Sequence, residues 1–128
     1  MQPVRRLKVW HKALALSVAC HHATFRRPMG GSAPGFRSQL LRAVDSIVDN
    51  IAEGAGQLSQ RQFARFLETA IASAHEVDRQ LERGRALGIL DANEARRLLE
   101  QVWEVKRMLT ALHRVVKRRA DEEGEPKA

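Results

Sequence analysis

Apolar residues return every three or four positions through four long stretches of this chain, and each rhythm stops at a cluster of glycine, proline or small polar residues. A period near 3.6 is that of an amphipathic helix, so each stretch is predicted to coil and bury a stripe. The breaks are RRPMGGSAPG at 26–35, EGAGQLS at 53–59 and LGILD at 87–91. Alanine and arginine are abundant and β-branched runs are scarce, which leaves strands little support. Four helices with mostly short connections predict an all-α, antiparallel up-down-up-down four-helix bundle over residues 1–119. The remaining ADEEGEPKA, 120–128, reads as an acidic disordered tail.

The first helix is predicted from Leu7 to Phe25, and it has two apolar faces. One carries Leu7, Trp10, Leu14, Val18, His21 and Phe25; the other carries Val9, Ala13, Leu16, Cys20 and Ala23. An ordinary surface helix has one such stripe. Two imply burial on both sides, so Val9, Ala13, Leu16 and Cys20 are expected to meet a second copy of the chain. Helix two is expected over Phe36–Glu53, closed by Gly54 in the left-handed conformation. Ser59 and Gln62 form a capping-box pattern at the start of helix three, with Leu58 and Phe63 at the staple positions. Gly88 is expected to end that helix, and Asp91 with Glu94 to cap helix four. In helix four Trp103 lies off the inward stripe on one side, Met108 and Val115 on the other. All three are candidate contacts beyond one subunit.

Charge is distributed unevenly. Eight basic residues and no acidic one precede Asp45, whereas the remaining 14 basic and 15 acidic residues nearly cancel. In the expected topology the start of helix one and the end of helix four share one end, joined by the start of helix three. Arg5, Arg6, Lys8, Lys12, Arg61, Arg65, Arg114, Lys117, Arg118 and Arg119 would then cluster. Such a cluster points to an anionic partner, RNA or DNA, held through its phosphates. Guanidinium forks suit phosphate oxygens, and no helix-turn-helix, RRM or zinc motif supports base-specific reading.

Catalytic and metal chemistry find no footing. Asp45, Asp49 and Glu53 recur every four residues, but the Glu-x-x-His pairs of carboxylate metal sites are missing, and the stripe is expected to pair with arginines. Adjacent His21 and His22 point about 100° apart on a helix, poorly placed for one metal. His75 and His113 read as boundary residues. Cys20 lies on an apolar face without an evident base, so it is a buried thiol and not a nucleophile. No cofactor loop is visible. A lone cysteine and the lack of a secretory h-region fit a reducing cytoplasm, and no run approaches the ~18 apolar residues of a membrane span.

Three segments carry a family resemblance: LKVWHKALAL at 7–16, SIVDNIAEGAGQLSQRQFARFLETAIAS at 46–73 and RALGIL at 85–90. Together they resemble the four-helix bundle proteins encoded in 23S rRNA intervening sequences. The resemblance implies a homopentamer. It also implies kinship with the accessory proteins of diversity-generating retroelements, whose partners are a reverse transcriptase and its RNA. Asn50, Glu53 and Gly54 belong to the motif. Asn50 is expected to bond backbone groups freed at the Gly54 break, and Glu53 to pair with Arg61 or Arg65. The leading expectation is a non-enzymatic homo-oligomer that binds structured RNA; the alternative is a protein-interaction accessory of a reverse transcriptase.

Overall fold

The structure, a computed structural model, describes residues 1–25 and 35–123. A 3-10 turn at Val4–Arg6 leads into α1 (Lys8–Phe25), followed by α2 (Phe36–Ala55), α3 (Gln60–Ala86) and α4 (Ala92–Glu123). No strand occurs among the described residues. Side-chain pairs fix the directions. Gln39 meets Gln80 and Ser46 meets Ser73, so α2 and α3 run antiparallel. Asp78 meets Lys106 and Glu68 meets His113, which sets α4 against α3 in the same sense. Asp45 receives Ser17, which sets α1 against α2. Each helix packs on its two neighbours around the bundle, with α1 closing against α4. No helix among the described residues is long and apolar enough to cross a membrane.

The expected starts of α3 and α4 are present. Ser59 Oγ accepts the Gln62 N–H at 3.0 Å, and Asp91 Oδ2 accepts the amides of Asn93 and Glu94 at 3.1 and 3.3 Å. Gly88 ends α3 with a φ of +73°. Its N–H reaches Arg85 O while that of Ile89 reaches Gly84 O, the paired bonds of a Schellman turn. The staple is not formed: Leu58 is 85% exposed while Phe63 is buried.

Gly54 departs from expectation in an informative way. It lies within α2 and is buried, and the helix runs on to Ala55. A Cβ added to Gly54 would come within 2.8 Å of Phe63 Cδ1 and 2.9 Å of Phe66 Cβ. The missing side chain is therefore what lets α3 close on α2. Gly84 does the same at the opposite end, where a Cβ would meet Phe36 Cζ at 2.6 Å.

The two faces of α1 are also reassigned. Val9, Ala13, Leu16 and Cys20, expected at a subunit interface, lie in the core, each at most 4% exposed. Leu14, Val18 and Phe25, expected inward, are 39%, 47% and 76% exposed. The sequence shows that two faces exist. Which one turns inward is decided by space, since the smaller residues Ala13 and Cys20 permit the closer approach. At the other terminus α4 continues through Asp121 to Glu123 with Ala120 buried, so the first four residues assigned to a tail are helical. Residues 124–128 lie outside the described residues, as does most of the first loop.

Replacing Gly54 by Ala gains about 1 kcal/mol of helix propensity but forces an overpacked contact that costs about 1–3 kcal/mol. Gly54→Ala is expected to lower stability in urea denaturation. Gly56→Ala, whose Cβ would find only ordinary contacts at 3.6 Å or more, should be neutral or mildly stabilising. Equal effects at the two positions would remove the close-approach explanation.

Candidate nucleic-acid interface

The antiparallel order brings both termini to one end. There Gln2 N–H donates to Ala55 O at 2.8 Å, fastening the chain start to the end of α2. A polar recess at this end is lined by Met1, Gln2, Ala55, Gln57, Gln60, Phe63 and Arg119. It thus joins the N-terminal segment, the α2–α3 link and the last turns of α4. Arg119 lines it, and Arg5 and Arg6 in the 3-10 turn, Arg61 in the first turn of α3 and Arg118 near the end of α4 belong to the same end, all exposed. Arg65 and Arg114 stand about 6–8 Å further along their helices. Arg118 and Arg119 point about 100° apart, so the cations form a crown around the end and not one flat patch.

Not all ten expected cations are equally available. Lys12 Nζ lies 3.0 Å from Glu104 Oε1 and Lys117 Nζ 3.2 Å from Asp121 Oδ1. Both pairs are well exposed, so each is worth at most about 1 kcal/mol. Among the described residues Arg5, Arg6, Lys8, Arg61, Arg65, Arg114, Arg118 and Arg119 take part in no ion pair. These eight cations have no carboxylate within ion-pair distance among the described residues.

Arg107 is a further exposed cation, outside the ten expected from the sequence. It lies seven residues before Arg114, which repeats nearly the same helical angle. The two flank a shallow groove on α4 lined by Lys106, Arg107, Thr110, Ala111 and Arg114. The spacing in sequence could have identified it.

Within one subunit, and among the described residues, the acidic stripe of α2 pairs with no arginine of α3; the other expected partner, an arginine of a neighbouring subunit, lies outside a single chain. Asp45 instead joins α1 to α2: its Oδ1 accepts Ser17 Oγ–H at 2.7 Å, and the His21 ring nitrogen Nε2 lies 3.2 Å from both carboxylate oxygens. Cys20 sits behind this cluster. Burial, with the nearby Asp45 carboxylate adding to it, pushes its thiol up from 9.0 to about 12. A thiolate nucleophile at neutral pH is thereby disfavoured. No cluster of three metal-ligating side chains occurs among the described residues.

Comparison with known proteins places this geometry. The family model described as 23S rRNA-intervening sequence protein matches residues 5–111. The chain belongs to that family. Its fold is shared with a crystal structure of a protein of unknown function from the S23 ribosomal protein family of Bacteroides thetaiotaomicron VPI-5482. The TM-score is 0.74 at 20% identity, covering 82% of this chain and 97% of that one. No curated protein matches the chain.

Within this intervening-sequence family member the motif residues have structural duties. Asn50 Nδ2 donates to Ser46 O at 2.8 Å and to Ser46 Oγ at 3.0 Å, and Ser46 Oγ meets Ser73 Oγ at 2.8 Å. Asn50 therefore braces the α2–α3 contact one turn before the glycine and does not repair a broken helix end. Glu53 is exposed and forms no ion pair with Arg61 or Arg65, because α2 continues past it and turns its side chain outward. Removing the amide in Asn50→Ala is expected to lose about 1 kcal/mol, and less in a Ser73→Ala background that has already cut the bridge. The Glu53→Ala and Arg65→Ala pair should be additive in the same denaturation assay. A coupling above about 0.5 kcal/mol would mean that the two side chains do meet.

Proposed function

We propose that the protein is a non-enzymatic homo-oligomer that binds structured RNA through the phosphate backbone. The observation that carries the reading is the crown of eight exposed cations, unpaired with any acid among the described residues, around the end that gathers the chain start, the head of α3 and the tail of α4. Cations held on rigid helices attract a polyanion and let counterion release drive binding, although exposed Asp121, Glu122 and Glu123 follow them in the last turn of α4. Reading of base sequence is not part of the proposal, since the crown rings a helix-bundle end and presents no element shaped for a groove. Family membership is consistent with an association with ribosomal RNA sequences.

Oligomerisation is supported by the outward stripe of α1. Leu14 and Val18 lie one turn apart on the surface, and exposed Val115 stands on the α1-facing flank of α4 beside half-buried Met108. A second copy covering Leu14 and Val18 would remove apolar area from water at about 25 cal/mol per Å², and Val115 with Met108 lies further toward the terminal end of the bundle. Repeating the crown within an assembly would strengthen weak contacts by avidity. A ring of five, as the family resemblance suggests, is one way to close it.

Two experiments test the halves separately. Titration of a labelled structured RNA at several salt concentrations should give an affinity that falls linearly on a log–log plot. Arg114→Glu with Arg118→Glu should weaken binding more than about tenfold and flatten the slope by about two. Lys12→Ala, already paired with Glu104, should change little. Binding insensitive to salt, or absent at low salt, rejects the phosphate reading. For assembly, Leu14→Lys with Val18→Lys is expected to reduce the mass found by sedimentation equilibrium to that of a monomer while circular dichroism stays helical. A wild-type protein that is already monomeric at tens of micromolar would reject assembly through this strip.

A further inference from the structure

Trp103 is the large aromatic on the outer part of α4, 45% exposed, and its ring is not free to swing. The indole Nε1–H donates to Asp78 Oδ2 at 3.1 Å. The same oxygen takes Lys106 Nζ at 3.0 Å, and the Lys106 and Asp78 side chains are themselves mostly shielded. One edge of the indole is thus tied to α3 while part of the ring remains open to solvent. The carboxylate that holds it is already neutralised. Helical geometry sets Arg107 one turn beyond Trp103 and Arg114 about 16 Å along the axis, and between them runs the groove lined by Lys106, Arg107, Thr110, Ala111 and Arg114. Glu100 stands one turn to the other side, so the cationic path leads from Trp103 toward the crown and not away from it.

We infer that Trp103 and this groove form a site for an unpaired RNA segment, with one base stacked on the indole and its phosphates following Arg107 and Arg114. The inference rests on the reading that the crown binds RNA, and it adds what that reading lacks, a way to prefer unpaired nucleotides beside a duplex. An aromatic face joined to a cationic groove is the general means of holding a single strand, because every base has a π-face and every nucleotide a phosphate. A ring fixed beforehand loses little freedom on binding. The position also separates this site from the assembly strip. Trp103 faces the α3 flank of α4, whereas Val115 and Met108 lie about 120–140° round the helix, on the α1 flank.

The test compares one labelled RNA hairpin with a blunt end against the same hairpin carrying a short unpaired 3′ extension. Wild-type protein should bind the extended RNA more tightly. Trp103→Ala should lose that preference, with affinity for the extended RNA falling about tenfold and affinity for the blunt RNA unchanged. Trp103→Phe, which keeps a π-face without the N–H, should retain most of the preference. Equal loss on both RNAs, no loss on either, or a Trp103→Phe variant as weak as Trp103→Ala would overturn the site while leaving the crown intact. A Trp103→Ala protein with altered mass in sedimentation would also overturn it, since the ring would then belong to a subunit contact. Wild-type protein that binds neither RNA removes the crown reading and this inference together.

Discussion

The bundle depends on how closely α2 and α3 can approach. At one end Gly54 leaves room for Phe63 and Phe66; at the other Gly84 leaves room for Phe36. Between them the helices meet through Ser46 and Ser73, braced by Asn50, with buried Ala43, Ala70 and Ala74 nearby. Small residues at a helix contact bring more atoms within dispersion range, and the aromatic rings fill the volume the glycines vacate. This pair forms a spine. Helix α4 lies along its α3 side through Asp78 and Glu68, and α1 along its α2 side through Asp45. The positions of both termini, and so of the cationic crown, follow from it.

Much of this architecture was legible because helix periodicity and end signals are local. Ser59, Asp91 and Gly88 act where a reader of the sequence would put them, since a cap is decided within about four residues. The inward stripe of α4 is likewise plain, as Ala95, Leu98, Val102, Val105, Leu109 and Val116 all lie in the core. The failures share a cause. Gly54 looks the same in sequence whether it ends a helix or admits a neighbour, and the difference lies in Phe63 and Phe66 across the gap. The two faces of α1 are comparably apolar, so burial was settled by the shape of α2 and α4. Asp45 was expected to seek an arginine and instead found Ser17 and His21, which periodicity on one helix cannot foresee.

For the candidate site, the sign of the charge is plain from residue types and its location follows from topology, but availability depends on side-chain partners. Lys12 and Lys117 count as cations in any composition, yet each already has a carboxylate within 3.2 Å. Arg114 and Arg118 do not. Trp103 shows the reverse difficulty. Off the inward stripe it reads as a candidate subunit contact, and the bond to Asp78 adds that the side chain is held in place with part of its ring facing solvent.

The Asp45 junction has a further consequence for how the protein tolerates change. Among the described residues the polar attachment of α1 to α2 runs through a single carboxylate that serves both Ser17 and His21. Apolar positions along α1 have neighbours that can relax into a small vacancy, spreading the damage of a conservative exchange. Position 45 has no such redundancy: exchange to an apolar residue strands the hydroxyl of buried Ser17, while the more exposed His21 ring can turn to water. Robustness to substitution is therefore graded along the chain, forgiving over the outward strip of α1 and brittle at this one acid.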